Sequence, residues 1–101
     1  MIVTVFRTRL NSGIYKEYAV VAERMSALVR TMPGYISHKT FTAEDGERVT
    51  IVEFESLEEQ LAWRRNAEHE EAIKVGRETF YSEIKIQVCE VFRKKESPAP
   101  E

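Results

Sequence analysis

Two histidines, one tryptophan and several arginines hold most of the chemical potential of this chain. His69 stands six residues after Trp63. An ordinary histidine, with a pKa of about 6.5, can take a proton from a phenol near neutral pH, so His69 is a candidate general base. It is equally open to a structural role, bonded to a nearby carboxylate or carbonyl. Trp63 offers a flat apolar wall for an aromatic ligand, or a large core side chain. His38 and Tyr35 are candidate substrate contacts. Two histidines alone fall short of the three or four ligands that a stable metal site needs, so no metal is expected. Arg64 and Arg77 are candidate anion contacts, because guanidinium pairs with carboxylates and stabilises enolates. Arg64, Arg65 and Arg77 also interleave with Glu68, Glu70, Glu71 and Glu78 at helix-pair spacing, which reads as solvated charge and is favoured for Arg65. Gly76 takes a side chain away from the inner face. That permits close packing or makes room for a ligand, against about 1 kcal/mol of helix propensity relative to alanine.

Composition limits the possibilities. The chain has 101 residues, with 15 Lys and Arg against 17 Asp and Glu, a formal charge of −2. That is one domain with a thin core. Nucleic acid is not expected as the main partner, because phosphate binding needs clustered basic charge. The single cysteine, Cys89, rules out an internal disulfide and zinc sites built on cysteine pairs. It alternates with the apolar series of the last strand and is expected as a buried free thiol. No apolar run approaches the roughly 20 residues of a membrane span, and the N-terminus reaches Arg7 and Arg9 too soon for a signal peptide. A cytoplasmic protein is expected.

These residues must be positioned by a small set of elements. Residues 2–9 read as a strand rich in Ile, Val, Thr and Phe. Asn11-Ser12-Gly13 breaks the pattern and offers helix caps. Tyr15, Tyr18, Ala22, Met25, Val29 and Met32 mark a helix from Ile14 to Met32, ended by Pro33-Gly34. Tyr35 to Thr42 and Arg48 to Glu55 read as strands joined by the Asp45-Gly46 turn. Ser56 and Glu59 form a capping box for a helix from Leu57 to about Asn66. On it Leu57 and Leu61 mark the buried stripe, Arg64 and Gln60 lie beside it, and Trp63 sits about 120° away, at its edge. A further helical stretch runs from about Glu68 to Phe80, with His69 in register with Ala72, Ile73, Gly76 and Phe80. Tyr81 to Arg93 is the last strand. Residues 1–93 form the expected domain and 94–101 a flexible tail.

The order β-α-β-β-α-β predicts an α+β, ferredoxin-like fold, with helices on one face of an antiparallel sheet. Val3 and Val5 point one way in the first strand, Ile2 and Phe6 the other. Val49 and Ile51 oppose Val52 and Phe54 in the third. His38 is placed with Ile36 and Thr40 on one face, and shares a cleft with His69 if that face meets the helices. Helices cover one side only, so a homodimer packed sheet to sheet is expected to cover the other.

Pro33-Gly34-Tyr35-Ile36-Ser37, Asp45-Gly46-Glu47-Arg48, Ala62-Trp63-Arg64 with Glu68-His69, Gly76-Arg77, Phe80-Tyr81 and Ile86-Gln87-Val88-Cys89-Glu90-Val91 together resemble the antibiotic biosynthesis monooxygenase domain, over about residues 1–93. The resemblance implies a dimeric α+β barrel. Some members of that family oxidise polycyclic phenols to quinones with oxygen and no cofactor, some bind and degrade haem, and others process a small signalling molecule. Oxygenating members carry a tryptophan at the place of Trp63, and a tyrosine near the place where this chain has His69. The expected function is a cofactor-independent monooxygenase of a small aromatic, phenolic or quinol-type molecule. His69 and Trp63 are its catalytic residues, and Tyr35, His38, Arg64 and Arg77 its substrate contacts. One alternative is haem binding and degradation with His69 on iron. The haem-degrading members set their histidine further from the tryptophan and carry an asparagine where this chain reads Thr8-Arg9-Leu10. The other alternative is a non-catalytic ligand-binding barrel.

Overall fold

The computed structural model describes residues 1–98. Strand β1 (Ile2–Leu10) leads into helix α1 (Tyr15–Val29), then strands β2 (Tyr35–Thr42) and β3 (Arg48–Phe54). Helices α2 (Leu57–Arg64) and α3 (Ala67–Val75), a π-helical turn (Gly76–Phe80) and strand β4 (Tyr81–Glu90) follow. The strands form one antiparallel sheet in the order β2-β3-β1-β4, which is the expected ferredoxin-like arrangement. Strand β4 ends at Glu90, short of the expected Arg93; of the expected tail, residues 94–98 form no regular secondary structure, and residues 99–101 lie outside the described residues. Among the described residues no helix is long and apolar enough to cross a membrane.

Register divides the sheet into two faces. One carries Tyr35, Phe54 and Ile2 on a rung, then His38, Val52, Thr4 and Val88, then Thr40, Thr50, Phe6 and Ile86, then Thr42, Arg48, Thr8 and Ile84. The helices lie on this face, since His38 bonds Ser26 of α1 and the Arg48 guanidinium rests on Tyr15 and Tyr18. The core is Val29, Phe54 and Trp63, with Met25, Leu28, Met32, Tyr35 and Val52 packed around it. The opposite face carries Val3, Val5, Val49, Ile51 and Phe41. Beside them stand the Arg7–Glu47 pair and a hydroxyl–carboxylate bond from Ser37 to Glu53. The helices leave this face open, and Phe41 is half exposed.

Several local expectations are corrected. The Asn11-Ser12-Gly13 segment does not cap α1: Ile14 holds the cap position with no side-chain bond. Asn11 instead donates its amides to the carbonyls of Phe80 and Thr79, tying the end of β1 to the π-helical turn. Leu57 does not lie on the buried stripe of α2. It is 51% exposed, whereas Gln60 and Trp63 are 6% and 7% exposed. An indole buries more apolar area than a leucine side chain, so the helix turns its Gln60–Trp63 face inward. Cys89 is exposed, because its side of β4 lies on the open face. Ile36 is not paired alongside His38. A register shift between Tyr35 and Ser37 leaves Ile36 without a partner on β3.

The capping box of α2 is half as expected. Ser56 Oγ accepts the Glu59 N–H, and donates its own proton to the Glu59 carboxylate instead of leaving that group to the backbone. The carboxylate then sits against Gly34, whose φ is +76°, and a Cβ there would collide with it. Gly13 has a similar φ of +75° with open space around it. An alanine with positive φ costs about 1–2 kcal/mol from backbone sterics alone. We expect Gly13→Ala to lose only that much, and Gly34→Ala to lose roughly 1–2 kcal/mol more by displacing Glu59. Urea unfolding of both variants checks this. Equal losses would show that the Glu59 contact does not matter.

Candidate functional site

The site is built at the joint between α2 and α3. Helix α2 starts at the Ser56 cap and ends at Arg64. Asn66 then leaves the helical region, with φ −58° and ψ 129°, and its side-chain oxygen accepts the N–H groups of Glu68 and His69 at 3.0 and 3.1 Å. That cap starts α3 in a new direction. The last carbonyls of α2 have no helical partner. The Trp63 carbonyl accepts Asn66 N–H at 3.1 Å and meets His69 Nδ1 at 3.0 Å.

The last contact fixes the state of the imidazole. Only a protonated nitrogen can bond a carbonyl oxygen, so Nδ1 carries the proton and the neutral ring keeps its lone pair on Nε2. The ring lies flat on the Trp63 indole, with centroids 3.9 Å apart and planes 12° from parallel. Burial pushes the His69 pKa below its usual value. The bond to the Trp63 carbonyl and the charge of Glu70 oppose that shift without reversing it. Nε2 is therefore an unprotonated base at neutral pH. It is also not a sealed, unpartnered atom: among the described residues only Arg48 Nε is that. Trp63 itself is a core residue, 7% exposed, so its indole backs His69 and does not face open space.

His38 makes a separate arrangement. Its face does meet the helices, as the strand pattern allowed. Nε2 lies 2.6 Å from Ser26 Oγ and Nδ1 lies 2.6 Å from the Tyr35 hydroxyl. Burial, then the positive charge of Arg30, lowers its pKa. Strict alternation puts residues 35 and 38 on opposite faces of a strand. The bulge at Ile36 turns Tyr35 onto the face of His38. No contact joins the two histidines. Tyr35 packs on Phe54 in the same core cluster as Trp63, so core side chains lie between the two arrangements.

The arginines separate. Arg64 is exposed at the end of α2. Arg77, also exposed, lines an open cavity of about 420 Å³ with Tyr81, Ser82, Glu83, Ile84 and Ile86. A second cavity of about 330 Å³ lies between α1 and α3, lined in part by Met25, Arg24, Glu68 and Ala72. Neither is lined by Trp63, His69 or His38. Gly76 serves close packing: a Cβ there would stand 2.6 Å from the Tyr81 ring. Among the described residues no group of three or more His, Cys, Asp or Glu is placed to hold a metal ion. A haem iron would be held here by His69 Nε2, and neither of the two cavities just described is lined by His69.

Sequence reasoning missed Arg48, Ser26 and Asn66. Arg48 reads as the first residue of a strand, and nothing in its neighbours in sequence places it between two tyrosines of α1. Asn66 was legible in principle, since an asparagine three residues before a histidine, in a gap between helical stretches, is a cap signal.

Comparison with known proteins agrees with this architecture. The family model described as antibiotic biosynthesis monooxygenase matches residues 1–75. The chain is 30% identical over 78 residues to the uncharacterised protein YqjZ of Bacillus subtilis, covering 77% of this chain and 68% of that protein. It is similar in fold to Rv0793 of Mycobacterium tuberculosis, with a TM-score of 0.83 at 14% identity, over 94% of this chain and 98% of that one. It is also similar to SnoaB, a cofactor-independent oxygenase of Streptomyces nogalater, with a TM-score of 0.76 at 15% identity, over 92% and 94% of the two chains. The fold, the order of its strands and the match over residues 1–75 together show that this chain belongs to the antibiotic biosynthesis monooxygenase family.

Proposed function

We propose that the chain is a cofactor-independent monooxygenase of a small phenolic or quinol-type molecule, with His69 as the proton acceptor. The observation that carries this is the free Nε2 of His69, set by the bond from Nδ1 to the Trp63 carbonyl. A neutral imidazole of lowered pKa takes a phenolic proton when the substrate hydroxyl lies within hydrogen-bond reach. The phenolate then gives an electron to oxygen, and the two radicals combine to form a carbon–oxygen bond. The hydroperoxide loses water: one oxygen atom stays as a quinone carbonyl and the other leaves as water. The substrate supplies all the electrons, so no external reductant enters. The imidazolium formed on Nε2 lies against the Trp63 ring, whose π-face favours a cation. Family membership and the fold shared with SnoaB support the reaction class. Tyr35, His38, Arg64 and Arg77 remain candidate substrate contacts within this proposal, with Arg77 alone on a cavity wall.

The acting unit in this proposal is a homodimer joined through the open sheet face. Val3, Val5, Val49, Ile51 and Phe41 make an apolar centre there, and the Arg7–Glu47 pair carries its charge already neutralised. Such a patch on a monomer marks an interaction surface. Sedimentation of the wild type is expected to give a dimer, and Val5→Lys with Ile51→Glu a folded monomer. A monomeric wild type would remove this part of the proposal.

Oxygen uptake with a panel of phenols and hydroquinones tests the activity. His69→Ala is expected to lose roughly 10²-fold or more in rate, the usual contribution of a positioned base. Wild type that consumes oxygen no faster than buffer, or an unaffected variant, would sink the reading.

The lowered pKa has a consequence for stability. As pH falls below about 6.5 the unfolded chain takes the proton first, so stability is complete above that value and declines below it. His38, lowered by burial and Arg30, acts in the same direction. Urea midpoints between pH 5 and 7.5 should therefore fall in acid. The slope should be reduced, though not abolished, in His69→Gln.

A further inference from the structure

Arg48 is the one charged group on the helix-covered face of β3, and it has no counter-charge. The ion pairs of the described residues join Arg7 to Glu47, Arg9 to Asp45 and Glu83, Lys85 to Glu83, and Lys94 to Glu96. None includes Arg48. Its Nε is buried with no hydrogen-bond partner. An unpaired buried donor on a cation is costly, and native structures seldom keep one without a reason.

The surroundings say what would satisfy it. The guanidinium carbon lies 5.2 Å from the Tyr18 ring centroid and 5.9 Å from that of Tyr15. Tyr81 packs edge-on against Tyr18 at 6.0 Å and against Phe6 at 5.8 Å. Burial pushes the Tyr81 pKa up, so its phenol keeps its proton and acts as a donor. Tyr15 is 60% exposed, which leaves this end of the layer open to solvent. On the same rung as Arg48, past the buried Thr8, stands Ile84, which with Ile86 and Tyr81 lines the 420 Å³ cavity. The place thus combines a planar cation, a phenolic donor and aromatic faces, and beside it, on the far side of Thr8, lies the cavity with the isoleucine wall, which Tyr81 lines and Arg48 and Tyr18 do not.

We propose that Arg48, Tyr18 and Tyr81 form a binding site for the carboxylate of a small aromatic acid. The fork of a guanidinium matches a planar carboxylate. The tyrosine rings and the isoleucine wall suit a flat apolar body. A dianion such as phosphate is a poorer match, because Arg48 is the one cation on the rungs of this face of the sheet, and Arg7 lies on the opposite face. The site goes beyond the oxygenase reading and does not depend on it, since binding an acid serves a catalyst or a pure binding protein alike.

Benzoate titrated into the full, ¹⁵N-labelled chain tests the proposal, with the arginine Nε–H resonances as the readout. Sodium chloride at matched ionic strength and benzyl alcohol, a neutral analogue, are titrated in parallel. The resonance absent from Arg48→Met identifies Arg48. Benzoate should shift it saturably, chloride should not, and benzyl alcohol should bind at least about tenfold more weakly. Arg48→Met keeps the apolar stem on the tyrosines and should weaken benzoate by about tenfold or more, with Arg48→Lys in between. If Arg48→Met fails to fold by circular dichroism, Tyr81→Phe and Tyr18→Phe take its place, each expected to weaken benzoate several-fold, about the loss of one hydrogen bond. A shift that does not saturate, equal binding of benzyl alcohol, an unchanged Kd in the variants, or a saturable shift at Arg77 in place of Arg48 would each overturn it.

Discussion

The joint between α2 and α3 sets the orientation and the protonated nitrogen of His69, on which the proposed chemistry rests. Had the chain continued as one helix through residue 66, the Trp63 carbonyl would have accepted the N–H of Ala67, four residues on. His69, six residues from Trp63, would then have pointed about 120° away from it around the helix axis. Asn66 prevents that outcome. By taking the amides of Glu68 and His69 on its own side chain, it starts a new helix and leaves the Trp63 carbonyl bonded only to the Asn66 N–H, with a second lone pair to offer. The carbonyl is then satisfied by the histidine that the new helix brings back over the indole. One cap therefore decides where the ring lies, which nitrogen carries its proton, and which nitrogen is left to act.

The sheet supplies the frame. Its helix-covered face is not uniformly apolar: each rung mixes core side chains with groups able to do chemistry, such as His38 beside Val52 and Arg48 beside Thr8. Those polar groups sit toward β2 and toward the far end of β3, away from the Val29–Phe54–Trp63 centre. Apolar side chains fill the centre, and the polar groups gather around its margin, where His38 meets Ser26 and Arg48 meets Tyr15 and Tyr18 of α1. Close approach at the π-helical turn belongs to the same economy of space. Gly76 gives up its side chain to the Tyr81 ring, and Tyr81 in turn supports Tyr18 and Phe6.

Much of this was legible in the sequence. Alternating Val3, Val5, Ile2 and Phe6 told the two faces apart, Asp45-Gly46 marked the hairpin, and Ser56 marked the start of α2. These signals are local, and local geometry decides them. The errors came where distant residues decide. Leu57 reads as core by periodicity, yet the bulk of Trp63 turned the helix. Cys89 reads as buried by alternation, yet its face is the one the helices leave open. Ile36 reads as sharing the face of His38, and a register shift there put Tyr35 on that face instead. The pairing of Arg48 with Tyr15 and Tyr18 spans the whole α1–β2 crossover and left no trace in spacing. The site residues His69 and Trp63 were readable as residues. Their stacking was not, because it depends on the helix break that Asn66 makes.

Both histidines have depressed pKa values, so proton affinity alone does not choose between them as the base. Hydrogen bonding does. His38 has partners at both nitrogens, each at 2.6 Å. For a substrate proton to reach it, one of those short bonds must first break, and a bond of that kind is worth about 1 kcal/mol net, with a further penalty for the hydroxyl left unpaired. His69 uses one nitrogen for the backbone and holds the other free. The same bond that orients its ring raises its proton affinity against the effect of burial, which brings its pKa back toward the working range of a base at neutral pH. His38 is thereby a bridge that fixes β2 to α1, and His69 keeps the unbonded nitrogen that the proposed proton transfer calls for.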